Sequence, residues 1–308
     1  MADVVCHLGL HKTASGTLQR QFFPACQGLN LLTTQMPAVR QFVQLVTCKD
    51  PLYFQPEQAY GELAEFLRPD QVNLLSNESL SGPPYAGVVE WGLDHRSSVI
   101  QNLRSVLPNA RIIVVLRRQD ALARSLYRQY VKRGGTATIR QFYGMDDSGR
   151  PPLMSRDRFL FSQYLRLLHE SFQGRVLVLK FEEFLRDQPA FLTQLCRFIG
   201  TEMPALALRR ENATNLGPFG MEVTRLMNFG FRSMLNRSIL PGVPVRSRGR
   251  WQEVSPVELI HDYWPGKPGH GDRSDFGTVS GAIWDESRDD NRRLDQDYGL
   301  GLAESGYY

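Results

Sequence analysis

The sequence predicts an α/β fold, a central parallel sheet flanked by helices, with an irregular carboxyl-terminal region after it. Three features point that way. Short apolar runs alternate with stretches of helical periodicity from residue 4 to about residue 200. One run, Ile112-Ile113-Val114-Val115-Leu116, is unbroken, as in a parallel strand buried on both faces. From 241 to 281 the chain turns rich in glycine, proline, arginine and aspartate with little periodicity. That stretch reads as a long loop, a lid or a partly disordered segment.

The elements follow in order. A strand is expected over 4–8, leading through Gly9 and Lys12 into a helix that Pro24 ends. A second strand is expected at 29–33. Val39, Phe42, Val43 and Val46 recur at helical spacing, as do Tyr60, Leu63, Ala64 and Leu67. A strand at 72–76 runs into Asn77-Glu78-Ser79 and the loop Ser81-Gly82-Pro83-Pro84. Val99, Leu103, Val106 and Leu107 mark a helix that stops at Pro108. After the central strand a helix spans about 120–132, closed by Gly134-Gly135. A helix at 159–172 and a strand at 176–179 come next. Phe191, Leu192, Leu195, Phe198 and Ile199 then share one helical face, ended by Gly200. Met221, Leu226 and Phe229 suggest another helix, and 289–298 a last one.

The composition suits a globular protein with a sizeable core: 42% hydrophobic and 22% charged residues over 308 positions. A net charge of +4 suits a small polyanionic ligand and is too weak to argue for nucleic acid. The cysteines (Cys6, Cys26, Cys48, Cys196) are scattered with no metal or redox spacing, which predicts free thiols in a reducing compartment. No signal peptide is visible, and no apolar run approaches the roughly 20 residues of a membrane span. The expectation is a soluble, cytoplasmic protein.

Ligands of parallel α/β sheets sit beyond the carboxyl ends of the strands. The loops carrying Lys12, Glu78 and Arg117 should all lie there. In the first, a strand turns through Lys12-Thr13-Ala14-Ser15-Gly16-Thr17 into a helix. The first N–H groups of a helix lack intrahelical partners, and that end is positive, so the turn can bind an anion. Lys12 adds a cation, Ser15 and Thr17 add donors, and Gly16 leaves room for a phosphate. An ordinary strand–helix turn capped by Ser or Thr is the alternative.

Arg117 and Arg118 form a second cationic end, just before a helix. Two cations there are unfavourable unless offset by Asp120 or by a bound phosphate, which the planar fork of Arg117 could hold. Ser125 lies on the inward stripe with Leu122, Leu126 and Gln129, and could share that anion. A structural ion pair for Arg117 and a tolerated small residue for Ser125 are the alternatives. Arg124, Arg128 and Lys132, four apart, read as a solvated face.

Lys12-Thr13-Ala14-Ser15-Gly16-Thr17-Leu18-Gln19 resembles the Lys-Thr-Gly-Thr-Thr-Ser-Leu-Gln loop of bacterial sulfotransferases, which binds the 5′-phosphosulfate of 3′-phosphoadenosine 5′-phosphosulfate (PAPS). Leu116-Arg117-Arg118-Gln119-Asp120, with Ser125, resembles the element whose Arg and Ser hold the 3′-phosphate. The segment Val178-Leu179-Lys180-Phe181-Glu182-Glu183-Phe184 is similar to the family's Arg-Tyr-Glu-Asp-Leu segment, with Phe181 where an aromatic residue often lies against adenine. An aromatic after a strand is also commonly core. The stretch from Asp289-Asp290-Asn291 through Tyr298-Gly299-Leu300 is similar to the ending of bacterial members. The departures are Ala14 for the loop glycine, Gly16 for a threonine, and Gln119 where a proline is common. Arg246-Ser247-Arg248-Gly249 is only a faint echo of the family's Arg-Lys-Gly segment and reads better as a solvated loop.

The resemblance implies a P-loop-like fold in one domain over 1–308. Residues 1–200 would form the nucleotide-binding core, and 201–308 a lid and closing helix. It implies PAPS as donor, no required metal, and a carbohydrate, lipid or small-metabolite acceptor. Lys12 would neutralise charge on the bridging oxygen. Glu78, similar in place to a Ser-x-Glu of bacterial members, is the choice for general base. A surface or capping carboxylate is the alternative. His11 and His7 are rivals, since imidazole titrates near neutrality. His7 suits a satisfied core position, His11 could instead orient the loop, and His95 belongs to a helix cap region. Tyr85, Trp91, Trp251, Tyr263 and Trp264 could stack on an acceptor or pack locally. Two other functions stay open. One is a P-loop phosphotransferase such as a nucleotide kinase, although the G-x-x-x-x-G-K-[ST] pattern is missing. The other is a non-catalytic nucleotide-binding protein.

Overall fold

The computed structural model describes residues 2–82, 95–208, 217–233, 235–236, 238, 240–247, 250–254 and 275–308. Its centre is a five-stranded, all-parallel sheet: β1 (Val4–His7), β2 (Leu29–Leu32), β3 (Val72–Ser76), β4 (Arg111–Leu116) and β5 (Val176–Lys180), in the order β2-β3-β1-β4-β5. The expected α/β class is observed.

Alternation along the strands explains the two-sided core. Val4, Cys6, Ile112, Val114 and Leu116 belong to one buried cluster, and Val5, Ile113 and Val115 to the other. Successive side chains point to opposite faces, so an unbroken apolar run supplies both. The second cluster is completed by Leu18, Phe22 and Phe23 and by Phe191, Leu195 and Ile199.

The helices carry their own start and stop signals. After the short α1 (Ser15–Thr17), α2 (Pro37–Cys48) and α3 (Pro56–Ala64) each begin with a proline in the first turn, where a missing N–H costs nothing. α4 is Arg96–Val106 and α5 is Gln119–Lys132. The short α6 (Ile139–Phe142) has a reciprocal capping box between Thr138 and Gln141. α7 (Phe161–Ser171) is preceded by a 3-10 turn at Arg156–Phe159. α8 (Phe181–Arg186) leads to α9 (Gln188–Ile199), capped by Asp187 and stopped by Gly200 at φ 86°.

The carboxyl-terminal region differs from its sequence reading. Within it lie α10 (Pro218–Asn228), an antiparallel hairpin of β6 (Val243–Ser247) and β7 (Arg250–Val254), and α11 (Asp275–Tyr298). The closing helix thus begins fourteen residues before the expected 289 (289 − 275). Phe276, Val279, Ile283 and Leu294 on it enter the main core at helical spacing. The acidic and arginine-rich stretch between Ile283 and Leu294 hides that pattern. The expected apolar face divides: on α10 Met221 is buried, but Leu226 and, just past the helix end, Phe229 are more than half exposed.

One further reading changes. Arg124 and Arg128 are half-buried rather than solvated: Arg124 pairs with Asp120 and the Arg128 guanidinium lies 5.3 Å from the Phe276 ring centroid. α11, packed along α5, covers that face. All four cysteines are free thiols, as expected, and Cys26 and Cys196, 170 residues apart (196 − 26), lie in the same buried cluster. Sequence spacing could not show that pair. Among the described residues, no helix is long and apolar enough to cross a membrane, and no group of three or more His, Cys, Asp or Glu side chains could hold a metal.

Candidate active site

β1 is central, and the chain leaves it toward β2 on one side, whereas it leaves β4 toward β5 on the other. The crevice between β1 and β4 is therefore the topological switch point of the sheet. The Lys12 loop and the Arg117 corner flank that crevice. They touch: Arg117 Nη1 donates to the Lys12 carbonyl at 2.7 Å.

The Lys12 loop enters a helical run in three pieces, Ser15–Thr17 as α, Leu18–Phe22 as π and Phe23–Ala25 as 3-10. Pro24 sits in the first turn of the last piece, and Cys26 is extended. Lys12 and Ala14 both have left-handed backbones, φ 69° and 64°. Residues alternating into that region turn successive N–H groups toward one point, an anion-binding concavity. Ser15 is buried at 1% exposure and its hydroxyl has no partner among the described residues. A Cβ on Gly9 would lie 2.2 Å from that hydroxyl, so the glycine makes its seat. The Thr13 hydroxyl donates to the Leu10 carbonyl, which commits it to the loop. A Cβ on Gly16 would lie 2.7 Å from the Arg20 guanidinium, so the space there is filled by the far end of Arg20. Ala14 and Thr17 are half-buried.

Glu78 opens a 3-10 turn (Glu78–Ser81) after β3, capped by the Asn77 side chain. Its carboxylate lies 3.2 Å from His11 Nδ1, and His11 Nε2 is 3.3 Å from the Gly82 carbonyl. Arg158 holds the same turn through the Ser81 and Gly82 carbonyls, at 3.2 and 3.4 Å. Burial raises the pKa of Glu78, but the contact with His11 and the charges of His11, Lys12 and His7 outweigh it and hold the carboxyl below its usual range. His7 is fully buried, with Nδ1 2.7 Å from Ser76 Oγ, and burial pushes it down to about 4 against the opposing pull of Glu78. His95 precedes α4 without a side-chain cap bond.

The cations are crowded. Burial lowers the pKa of Lys12; Glu78 opposes that shift, and Arg117, Arg133 and Lys132 add to it. Burial likewise lowers that of Arg117; Glu182 opposes, and Arg128 adds. The Lys12 ammonium has no hydrogen-bond partner among the described residues, and Arg117 Nε is buried without one. Repelling cations beside unpaired buried donors make a site that favours a polyanion.

Phe181 is half-buried at the start of α8, with the Arg117 guanidinium 4.7 Å from its ring centroid and Phe184 stacked at 6.1 Å. Ser125 is half-buried on α5, and no described contact joins it to Arg117. Of the expected residues, the fold brings Lys12, His11, Glu78, Arg117 and Phe181 together. Arg128 and Lys132, whose spacing looks like a solvent face, are half-buried here, and Arg133 and Arg158 carry no signal in the sequence that marks them. Tyr85, Trp91, Tyr263 and Trp264 lie outside the described residues, as does most of 241–281; Trp251 on β7 is 71% exposed.

A family model described as "Sulfotransferase family" matches residues 27–205, more than half of the chain. The chain belongs to the sulfotransferase family, whose chemistry is sulfuryl transfer. The match includes Glu78, Arg117, Ser125 and Phe181 and begins after the Lys12 loop. Among solved structures, the chain is similar to a sulfotransferase from Alicyclobacillus acidocaldarius (19% identity, TM-score 0.48, covering 68% of this chain and 87% of that one). It is also similar to a mouse sulfotransferase complexed with PAP (12% identity, TM-score 0.41, 96% and 89%). A third is the sulfotransferase domain from the curacin biosynthetic pathway (10% identity, TM-score 0.41, 92% and 97%). Comparison with curated protein sequences finds no match.

Proposed function

We propose that this sulfotransferase moves a sulfuryl group from PAPS to a hydroxyl (or amine) of a carbohydrate, lipid or small metabolite. The observation that carries this reading is the pair of cationic corners joined by the Arg117–Lys12 bond across the switch point. Two anion sites in one crevice suit a donor with two separated phosphate groups. The buried, unpartnered Ser15 Oγ and Arg117 Nε fit such a ligand. Lys12, Ser15 and the loop N–H groups would hold the phosphosulfate, and Arg117 with Ser125 the 3′-phosphate. Phe181, pinned under Arg117, would lie beside the adenine.

The acceptor oxygen attacks sulfur, the bond from sulfur to the bridging oxygen breaks, and adenosine 3′,5′-bisphosphate leaves. Positioning and charge stabilisation do most of the work in transfers of this kind. Lys12 neutralises the charge growing on the bridging oxygen. Glu78, held ionised by His11 and Lys12, takes the acceptor proton, and His11 aims it.

The test is kinetic, with labelled PAPS and a panel of acceptors. Lys12→Ala is expected to lower turnover by about 10²–10³-fold while donor affinity changes little. Unchanged turnover overturns the role of Lys12. Glu78→Gln under saturating donor should lose most activity and His11→Ala less; near-normal turnover of Glu78→Gln removes it as the base.

A further inference from the structure

We propose that the penultimate residue, Tyr307, is a positioning residue for the donor site, acting through Glu182 on the Arg117–Arg118 corner. The proposal rests on the donor reading above. Tyr307 is fully buried at the end of the chain, and its hydroxyl donates to Glu182 Oε2 at 2.8 Å. The other oxygen of the same carboxylate accepts the Arg118 N–H at 3.0 Å. Arg118 is the N-cap residue of α5 and has no side-chain cap bond of its own. Glu182 therefore stands at the positive end of that helix, where a carboxylate is stabilising.

A second route runs from the same tyrosine to the same corner. Its carbonyl accepts Asn291 Nδ2 at 3.0 Å. Asn291 exchanges two side-chain bonds with Gln119, the first residue of α5, at 2.7 and 3.1 Å. Both routes end on the two residues that follow Arg117. Glu182 also follows Phe181, whose ring lies under the Arg117 guanidinium. The tail is itself anchored, because buried Lys180 donates to the Leu300 and Gly301 carbonyls and pairs with Glu183.

Packing alone does not account for the hydroxyl. A phenylalanine would fill the same space but leave the half-buried Glu182 Oε2 without its donor. The tyrosine fixes which way Glu182 points, and Glu182 fixes the backbone from which Arg117 reaches into the crevice. Tail and donor corner form one connected unit.

The test compares Tyr307→Phe with Tyr308→Phe in the full chain. Tyr308 makes a similar tail bond, to Asp295 at 2.9 Å, that does not reach Glu182. Two readouts are used: amide hydrogen exchange at Arg118 without ligand, and the affinity for adenosine 3′,5′-bisphosphate. Tyr307→Phe is expected to speed Arg118 exchange and to weaken bisphosphate binding about tenfold or more, the loss of one charge-assisted hydrogen bond. The donor KM should rise more than kcat falls, and Tyr308→Phe should match the wild type in each respect. The proposal is overturned if Arg118 exchange is unchanged in Tyr307→Phe, or if both variants weaken binding equally. If the wild type fails to bind the bisphosphate, the donor reading falls, and Arg118 exchange still decides whether Tyr307 holds the corner.

Discussion

Lys12 and Ala14 place side chains where glycine is the usual tenant. A left-handed backbone costs a non-glycine residue about 1–2 kcal/mol, and such strain gathers at ligand sites because the surrounding structure holds it there. Ala14 carries it at φ 64° with a half-buried methyl. Replacing it by glycine relieves that cost but adds about 0.5–1 kcal/mol of unfolded-chain entropy. Ala14→Gly is therefore expected to leave the unfolding midpoint unchanged or slightly raised, and Ala14→Val to lower it. Thermal unfolding of the three proteins checks the order. A midpoint for Ala14→Gly well below the wild type means that the loop is not strained at this residue.

The pairing of β1 with β3 sets His7 opposite Ser76, the last residue of β3 and two before Glu78. His7 is buried uncharged, pushed from 6.5 down to about 4, mainly by burial. Between those values the unfolded chain binds a proton that the folded chain does not, so stability rises with pH across that window. The span corresponds to on the order of 3 kcal/mol, lost progressively as pH falls from about 6.5 to about 4. Glu78 acts in the same direction at lower pH. Its folded pKa is depressed, so its contribution is complete above the unfolded carboxylate range and disappears as pH falls through the folded value. Denaturant unfolding at pH 7, 5.5 and 4.5 should show a fall in stability that His7→Asn reduces. An equal fall in His7→Asn would assign the acid sensitivity elsewhere.

Over the whole molecule, the crevice gathers Lys12, Arg117, Arg128, Lys132 and Arg133 around few counter-charges. A protein that holds such a cluster without its ligand is stabilised when the ligand binds. Adenosine 3′,5′-bisphosphate at a hundred times its dissociation constant is expected to add about 2.7 kcal/mol. Salt should weaken the effect by screening the charges. Arg117→Ala should remove most of the shift while folding normally, because its guanidinium serves the crevice more than the core. Calorimetry with and without ligand measures both. A wild-type melting curve that the bisphosphate does not move counts against the proposed donor.

The sequence by itself determined the sheet, since unbroken apolar strands between amphipathic helices have one low-energy arrangement, with both faces covered. It also marked Lys12, Glu78 and Arg117, because loops at the carboxyl ends of parallel strands converge whatever their details. Only tertiary structure decided which partners they meet. Strand order 2-3-1-4-5 puts β1 beside β4, and no local pattern encodes that adjacency. The same holds for Arg128, whose spacing with Arg124 and Lys132 looks solvent-facing until α11 covers it, and for Cys26 with Cys196. It holds most plainly for Tyr307, whose hydroxyl reaches a carboxylate 125 residues away. Periodicity is a property of neighbours in the chain; a hydrogen bond between distant residues depends on how the elements pack.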